Sequence, residues 1–291
     1  MHCPLCNQEE ARPSWLGSVL YEGREFPFVE CLHCGTLYCE PMPDAEVLAR
    51  MYGPDYTADC SALHTNVDNP KEPQRVIEWL GRESPGIFVD YGCGAGRLLT
   101  EAQKLKWEAV GVEFDDEVCA AVERSTGAKV FNSKRAQAAL GERLADVLNL
   151  GDVVEHLTEV NRQMPEILRL LKPGGLLLAQ GPLEGNANLF TLMLRLARTA
   201  RRTRQTEMAP YHVMLATASG QREFFRRFGL SELEFSMSEV SWPAPSRLLR
   251  GDLKSPRQVG LFTARRLSQT LSRLRPGHWG NRYFYAGRKQ V

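Results

Sequence analysis

No apolar run in this chain reaches membrane-spanning length, and no internal repeat or low-complexity tract interrupts it. The opening residues, Met1-His2-Cys3-Pro4, lack the charged and apolar blocks of a secretory leader. These absences argue against a helical membrane protein, a solenoid and a disulfide-stapled secreted domain. They set the expectation of a cytoplasmic protein with reduced cysteines, in which paired C-x-x-C spacings favour a metal over a disulfide. Net charge is nearly absent too, at +1 over 291 residues. That length buries a full α/β core with room for one small extra domain.

The near-zero net charge conceals an asymmetry. Residues 1–50 carry three basic against eight acidic side chains, and residues 51–183 carry 14 against 20. Residues 184–291 carry 19 against 7, so the last third is either a solvated basic face or a surface for an anionic ligand.

What the chain does have begins with four cysteines. Cys3-Pro4-Leu5-Cys6 and Cys31-Leu32-His33-Cys34 form two C-x-x-C knuckles, which suit tetrahedral Zn²⁺. Asn7 and Gly35 follow them, and both tolerate the tight turn a knuckle needs. Residues 18–21 and 26–30 read as two short strands joined by a turn at 22–24. A module this small has no core of its own, so metal ligation would supply its folding energy. His2, His33 and Cys39 are surplus to four ligands. A closed Cys₄ site leaves no open position and therefore implies structure, not catalysis. The acidity of residues 1–50 opposes contact with phosphates, so no nucleic-acid partner is expected.

The reading of the organisation is a zinc ribbon over 1–43, a helical bridge or lid over 44–84, and a catalytic core over 85–291. Helical cover is expected to be inserted around 184–210 and 245–278. In the bridge, Pro41-Met42-Pro43-Asp44 caps a helix over 45–51, residues 57–70 read as loop, and a helix over 73–81 offers Val76, Ile77, Trp79 and Leu80 for packing. From residue 86 strands alternate with helices, the mark of a doubly wound parallel sheet. Strands are expected over 87–91, 109–114, 130–131, 145–150 and 176–181, with helices near 96–106, 115–126, 134–142 and 158–171. Two further strands, over 231–240 and 280–286, are expected to pair antiparallel. Ligands bind at the carboxyl ends of parallel strands, which points to 90–96, 113–115, 151–156 and 181–184.

The turn Gly92-Cys93-Gly94-Ala95-Gly96 lacks the sixth-position glycine of a nicotinamide fingerprint: Arg97 or Leu99 stands there. Glu113 ends the second strand of the core, placed to accept both hydrogen bonds of a ribose diol. Val89-Asp90-Tyr91-Gly92-Cys93-Gly94-Ala95-Gly96 and Val112-Glu113-Phe114-Asp115 resemble the first two motifs of class I S-adenosylmethionine-dependent methyltransferases. Asp146 to Leu157, the Leu171-Lys172-Pro173-Gly174-Gly175 segment and Pro210-Tyr211-His212 with the 222–230 helix are similar to later segments of that family. The resemblance covers about residues 75–235. It implies a Rossmann-like α/β fold with a mostly parallel seven-stranded sheet, S-adenosyl-L-methionine as cofactor and methyltransferase activity. A four-cysteine ribbon before such a core also resembles sugar C-methyltransferases, which are longer.

The resemblance further implies that Gly92, Gly94 and Gly96 admit the methionine portion and that Asp90 orients its amino group. Glu113 would hold the ribose, Phe114 would stack near adenine, and Gly151 and Asp152 would line the methionine side. An acceptor hydroxyl, or a carbon beside a carbonyl, must lose a proton, and histidine serves near neutral pH. His156 and His212 are the candidates, His156 being favoured because it directly follows the fourth core strand. Tyr211 could orient the acceptor and Tyr56 could close the pocket. Residues 189–204 and 260–275 read as basic amphipathic helices, either covers over the active site or contacts for an anionic, nucleotide-linked or carrier-linked acceptor or an anionic membrane surface. Two other functions compete with this one. A zinc-finger nucleic-acid methyltransferase is opposed by the acidic ribbon and the lack of an Asn/Asp-Pro-Pro-Tyr/Phe motif. A non-catalytic scaffold is opposed by the intact glycine turn, Asp90 and Glu113.

Overall fold

The computed structural model describes residues 2–51, 71–142, 144–186, 188–199, 205–240, 248, 251–275, 277 and 279–290. Twelve strands occur among them: β1 Ala11–Tyr21, β2 Arg24–Cys31, β3 Leu37–Cys39, β4 Ile87–Tyr91, β5 Glu108–Glu113, β6 Lys129–Asn132, β7 Ala145–Gly151, β8 Leu171–Pro182, β9 Gln205–Glu207, β10 Met214–Leu215, β11 Leu230–Ser238 and β12 Arg282–Lys289. By internal contacts the chain forms two compact units. One comprises Met1–Asn69, Pro182–Glu223 and Ser236–Tyr283, the other Pro70–Gly181, Phe224–Phe235 and Phe284–Val291. Tyr56, the 57–70 loop, Arg201 and Arg202 lie outside the described residues.

The first unit holds a five-stranded sheet in the order β10-β3-β2-β1-β9. The expected hairpin is present and longer than read. Glu22 and Gly23 take positive φ of 48° and 77°, the pattern of the two-residue turn whose twist matches its flanking strands. Two strands come from far along the chain. β9 runs parallel to β1, with Ser18 opposite Gln205, and β10 pairs antiparallel with β3, with Tyr38 opposite Met214. Both are too short to leave a periodic signal. Asp44 caps the helix Ala45–Met51 through Val47 N–H, as its sequence predicts.

The second unit holds the seven-stranded sheet, order β11-β12-β8-β7-β4-β5-β6. The pairs β4–β5, β4–β7, β5–β6 and β7–β8 are all parallel. Helices Arg97–Lys104, Asp116–Thr126, Ser133–Leu140 and Val160–Arg169 connect them, close to the expected spans. Phe88, Leu99, Trp107, Val122, Val147 and Leu178 meet in one buried cluster, joined by Val76 and Leu80 of the helix Lys71–Leu80. That helix also reaches β11, where Arg75 and Trp79 Nε1 both bond Glu234. Asn281 N–H donates to Ser238 O, and Gln290 N–H to Gly229 O, so β12 runs antiparallel to β11 as expected.

Residues 171–175 are not a turn before the strand but a bulge within it. Ala145 faces Leu171 while Val147 already faces Leu176, so extra residues loop out and Lys172 Nζ bonds Asp146 Oδ1 at 2.6 Å. No helix among the described residues is long and apolar enough to cross a membrane.

Candidate active site and metal centre

The two knuckles fold alike. Asn7 N–H donates to Cys3 O and Gly35 N–H to Cys31 O; Cys3 N–H reaches Gln8 O and Cys31 N–H reaches Thr36 O. Asn7 and Gly35 take φ of 62° and 73°, the tight turn foreseen for both. All four cysteines are buried. Their Sγ atoms lie within 4.8 Å of one another, with Cys3–Cys34 at 3.7 Å and Cys6–Cys31 at 3.5 Å. A Zn–S bond of about 2.3 Å gives tetrahedral S···S edges of about 3.8 Å, so the set fits that ion. The hydrogen bond from Cys3, with help from Thr36, pulls the Cys34 thiol down to about 5, and the same bond pushes Cys3 up. Cys39, buried alone, is pushed up to about 12 by burial.

The knuckle is tied to a later segment of the same unit. Thr217 Oγ1 and Ser219 Oγ donate to Cys34 O at 2.6 and 3.1 Å, and Cys39 N–H donates to Val213 O. The Pro210-Tyr211-His212 segment therefore leads straight into the ribbon's sheet. His212 Nδ1 lies 2.8 Å from Glu184 Oε2, both side chains being about one-third exposed.

In the second unit the glycine turn follows β4. Gly92, Gly94 and Gly96 all have positive φ. A Cβ on Gly92 would stand 2.8 Å from Val153 Cγ2, and one on Gly96 would stand 2.6 Å from Val122 Cγ1. At Gly92 and Gly96 the turn has no room for a side chain. Gly94 N–H donates to Glu113 Oε2 at 2.9 Å, and Phe114 N–H to Glu113 Oε1 at 2.7 Å. These bonds aim the carboxylate at the mouth of the turn and leave each oxygen a further lone pair. Phe114 is 41% exposed, with Lys134 Nζ 4.9 Å from its ring centre, so it is not a core residue. Asp115 caps the next helix through Glu117 N–H and Val118 N–H.

Asp90 is buried. Asn149 Nδ2 donates to its Oδ1 at 2.7 Å, yet burial raises its carboxyl to about 6. Asn149 and Gln180 were missed from sequence. Both are buried on central strands, and Asn149 Oδ1 and Gln180 Oε1 have no hydrogen-bond donor. Their signal was a lone amide inside an apolar strand, Val-Leu-Asn-Leu and Leu-Leu-Ala-Gln. Gln180 Nε2 would meet a Cβ on Gly151 at 2.7 Å, and Asp152, at φ 53°, donates its N–H to Gln180 O. Glycine turn, Asp90, Glu113, Gly151 and Asp152 thus gather at the carboxyl ends of β4, β5 and β7. His156 closes the short 3₁₀ turn Val154–His156 that follows β7, and its neighbour Glu155 is buried.

A protein-family model described as a methyltransferase domain matches residues 89–179. The chain is 24% identical over 199 residues to trans-aconitate 2-methyltransferase of Methylobacterium radiotolerans, covering 62% of this chain and 76% of the relative. Among solved structures it resembles the plantazolicin methyltransferase BpumL, solved with a substrate analogue and S-adenosylhomocysteine, at 15% identity and TM-score 0.52, covering 85% of this chain and 95% of that one. It also resembles phosphoethanolamine N-methyltransferase 2 of Haemonchus contortus, at 14% identity and TM-score 0.53, covering 84% and 59%. Those two likenesses concern the fold, which is the seven-stranded sheet described above. With the matching domain spanning β4 to β8 and the glycine turn and acidic strand end inside it, this chain carries an S-adenosylmethionine-dependent methyltransferase domain.

Proposed function

We propose that the enzyme methylates a small anionic acceptor at oxygen or carbon, with His212 as general base, and that Cys3, Cys6, Cys31 and Cys34 hold a structural zinc ion. The bound cofactor supplies a sulfonium methyl whose transfer cancels the sulfonium charge, so the protein's task is alignment and exclusion of water. Glu113 accepts the ribose hydroxyls, and Phe114 stacks on adenine. Gly92, Gly94 and Gly96 admit the methionine portion, which Gly151 and Asp152 line. Asp90 binds the amino group. The undonated Asn149 Oδ1 and Gln180 Oε1 support this last role, since buried acceptors beside a carboxylate fit an ammonium.

The assignment of the base rests on the Glu184–His212 contact of 2.8 Å. A carboxylate on Nδ1 fixes that nitrogen as the proton carrier and leaves Nε2 to take the acceptor's proton. Glu184 follows directly from the end of β8, as a ligand-edge residue should. His156 has the better address in the sequence, directly after β7, but His212 is preferred for its contact with Glu184. Tyr211, its neighbour, orients the acceptor. The excess of basic residues after 183, 19 against 7, favours an acidic acceptor, nucleotide-linked or carrier-linked. The relative named for trans-aconitate, itself an anion, agrees with this.

The test is a set of turnover measurements with paired phosphorylated or carboxylated and neutral acceptors. His212→Ala is expected to lower kcat by about 10²–10⁴-fold with cofactor affinity unchanged. Glu184→Gln should lose less and act on kcat more than KM, while His156→Ala stays near wild type. The opposite ranking of the histidines would reassign the base. Equal turnover of charged and neutral acceptors would remove the acidic-acceptor reading, as would an Arg201→Gln, Arg202→Gln double variant with unchanged salt dependence.

A further inference from the structure

The helix Pro256–Leu274 is built inside out. Its buried side chains include Arg265, Ser268 and Ser272, a polar stripe spaced like the apolar stripe of an ordinary covering helix. Each is bonded inward. Arg265 pairs with buried Glu239, Ser268 Oγ donates to Glu239 Oε1 at 3.1 Å, and Ser272 Oγ donates to Trp279 O at 2.9 Å. Two of the four leucines point the other way, while Leu261 and Leu271 are half-buried. Leu267 and Leu274, seven residues apart and so on one face, are 52% and 72% exposed. Arg266 and Arg273 repeat that spacing in the next row and are exposed as well.

The helix Leu189–Thr199 packs against it in the same unit and carries exposed Leu192 and Leu196 one turn apart. Both helices lie in stretches without acid. No Asp or Glu occurs after Asp252 or between Glu184 and Glu207. Among the described residues, Arg257, Arg266, Arg273 and Arg275 have no acidic partner. Arginines held free of carboxylates would suit any polyanion. Exposed aliphatic side chains in the rows beside them suit a narrower class, an anionic surface with an apolar layer directly beneath. Nucleic acid would call for polar or aromatic side chains at those positions, because leucine has nothing to gain from phosphate or a base edge.

We propose that this helix pair docks the enzyme on an anionic phospholipid surface, with the helices in the headgroup plane, leucines at the acyl boundary and arginines on the headgroups. This is peripheral attachment, in keeping with the absence of a spanning helix among the described residues. It is independent of the acceptor and of the assigned base.

The test is cosedimentation of the full chain with vesicles of pure phosphatidylcholine and of phosphatidylcholine mixed with phosphatidylglycerol. Binding is expected only to the mixed vesicles and should fall as salt rises. Arg266→Gln with Arg273→Gln should weaken partitioning by roughly fivefold per charge removed and flatten the salt dependence. Leu267→Glu with Leu274→Glu should lower it at least about tenfold. Both variants should keep wild-type affinity for S-adenosylmethionine, which reports that they are folded. No binding to the mixed vesicles would overturn the proposal. So would leucine variants that bind vesicles as tightly as wild type, which would make the surface a general polyanion site. A stable dimer in which the leucines are covered, and which ignores vesicles, would overturn it as well.

Discussion

At the scale of single residues, Asp90 shows what a buried carboxylate costs the fold. It is 3% exposed, and burial raises its carboxyl to about 6, above the value near 4 expected in the unfolded chain. The native state therefore holds an extra proton between about pH 4 and 6, and stability falls as pH rises through that window. Above it the penalty is complete. Asp90→Asn should then stabilise the cofactor-free protein at pH 8 by about 1–3 kcal/mol and leave it nearly unchanged at pH 4. The same substitution should weaken binding of S-adenosylmethionine, whose ammonium would offset the buried charge. Thermal melts at the two pH values with calorimetry at pH 8 check both halves; a variant less stable at pH 8 would contradict the account. The placement of Asp90, Glu113 and the glycines at strand ends was legible because a local motif sets it. Asn149 and Gln180 were not, because each amide's meaning depends on which strand lies beside it.

At the scale of elements, the junction of β4 with the helix Arg97–Lys104 carries the most constraint. Gly96 sits there at φ 75°, and a Cβ would meet Val122 and Thr126 of the following helix at 2.6 and 2.9 Å. Gly96→Ala is expected to destabilise by about 1–3 kcal/mol, from the strained φ together with overpacking. Chemical denaturation would show it as a lower midpoint with an unchanged slope. Elements with strong periodicity or a clear cap were readable, as Asp44 and Asp115 illustrate. The helix Pro256–Leu274 was legible as an element over 260–275, but its pattern does not tell which face is buried. Leucines normally face the core, and only the buried Glu239 explains why Arg265 does so here. β9 and β10 escaped because two or three residues carry no period, and their partners lie nearly two hundred positions away.

At the scale of the whole molecule, the four-cysteine cluster and the glycine turn lie in different compact units, so loss of the proposed zinc site should not abolish the proposed cofactor site. Cys6→Ser, or removal of metal by a chelator, is expected to lower the melting of the first unit and leave S-adenosylmethionine affinity within about twofold, a change of roughly RT ln 2. Metal analysis of gently purified protein should find about one zinc per chain. Loss of cofactor binding on chelation would contradict this division. The five-stranded sheet also sets an order of events during synthesis. The four cysteines and β1 to β3 leave the ribosome first, but β10 and β9, which cover the two edges, follow only after residue 204. At ordinary translation rates the hairpin waits on the order of ten seconds or more with both edges bare. Bare edges recruit other strands, so an early metal clamp would protect the nascent chain from misassociation before there is any active site to build.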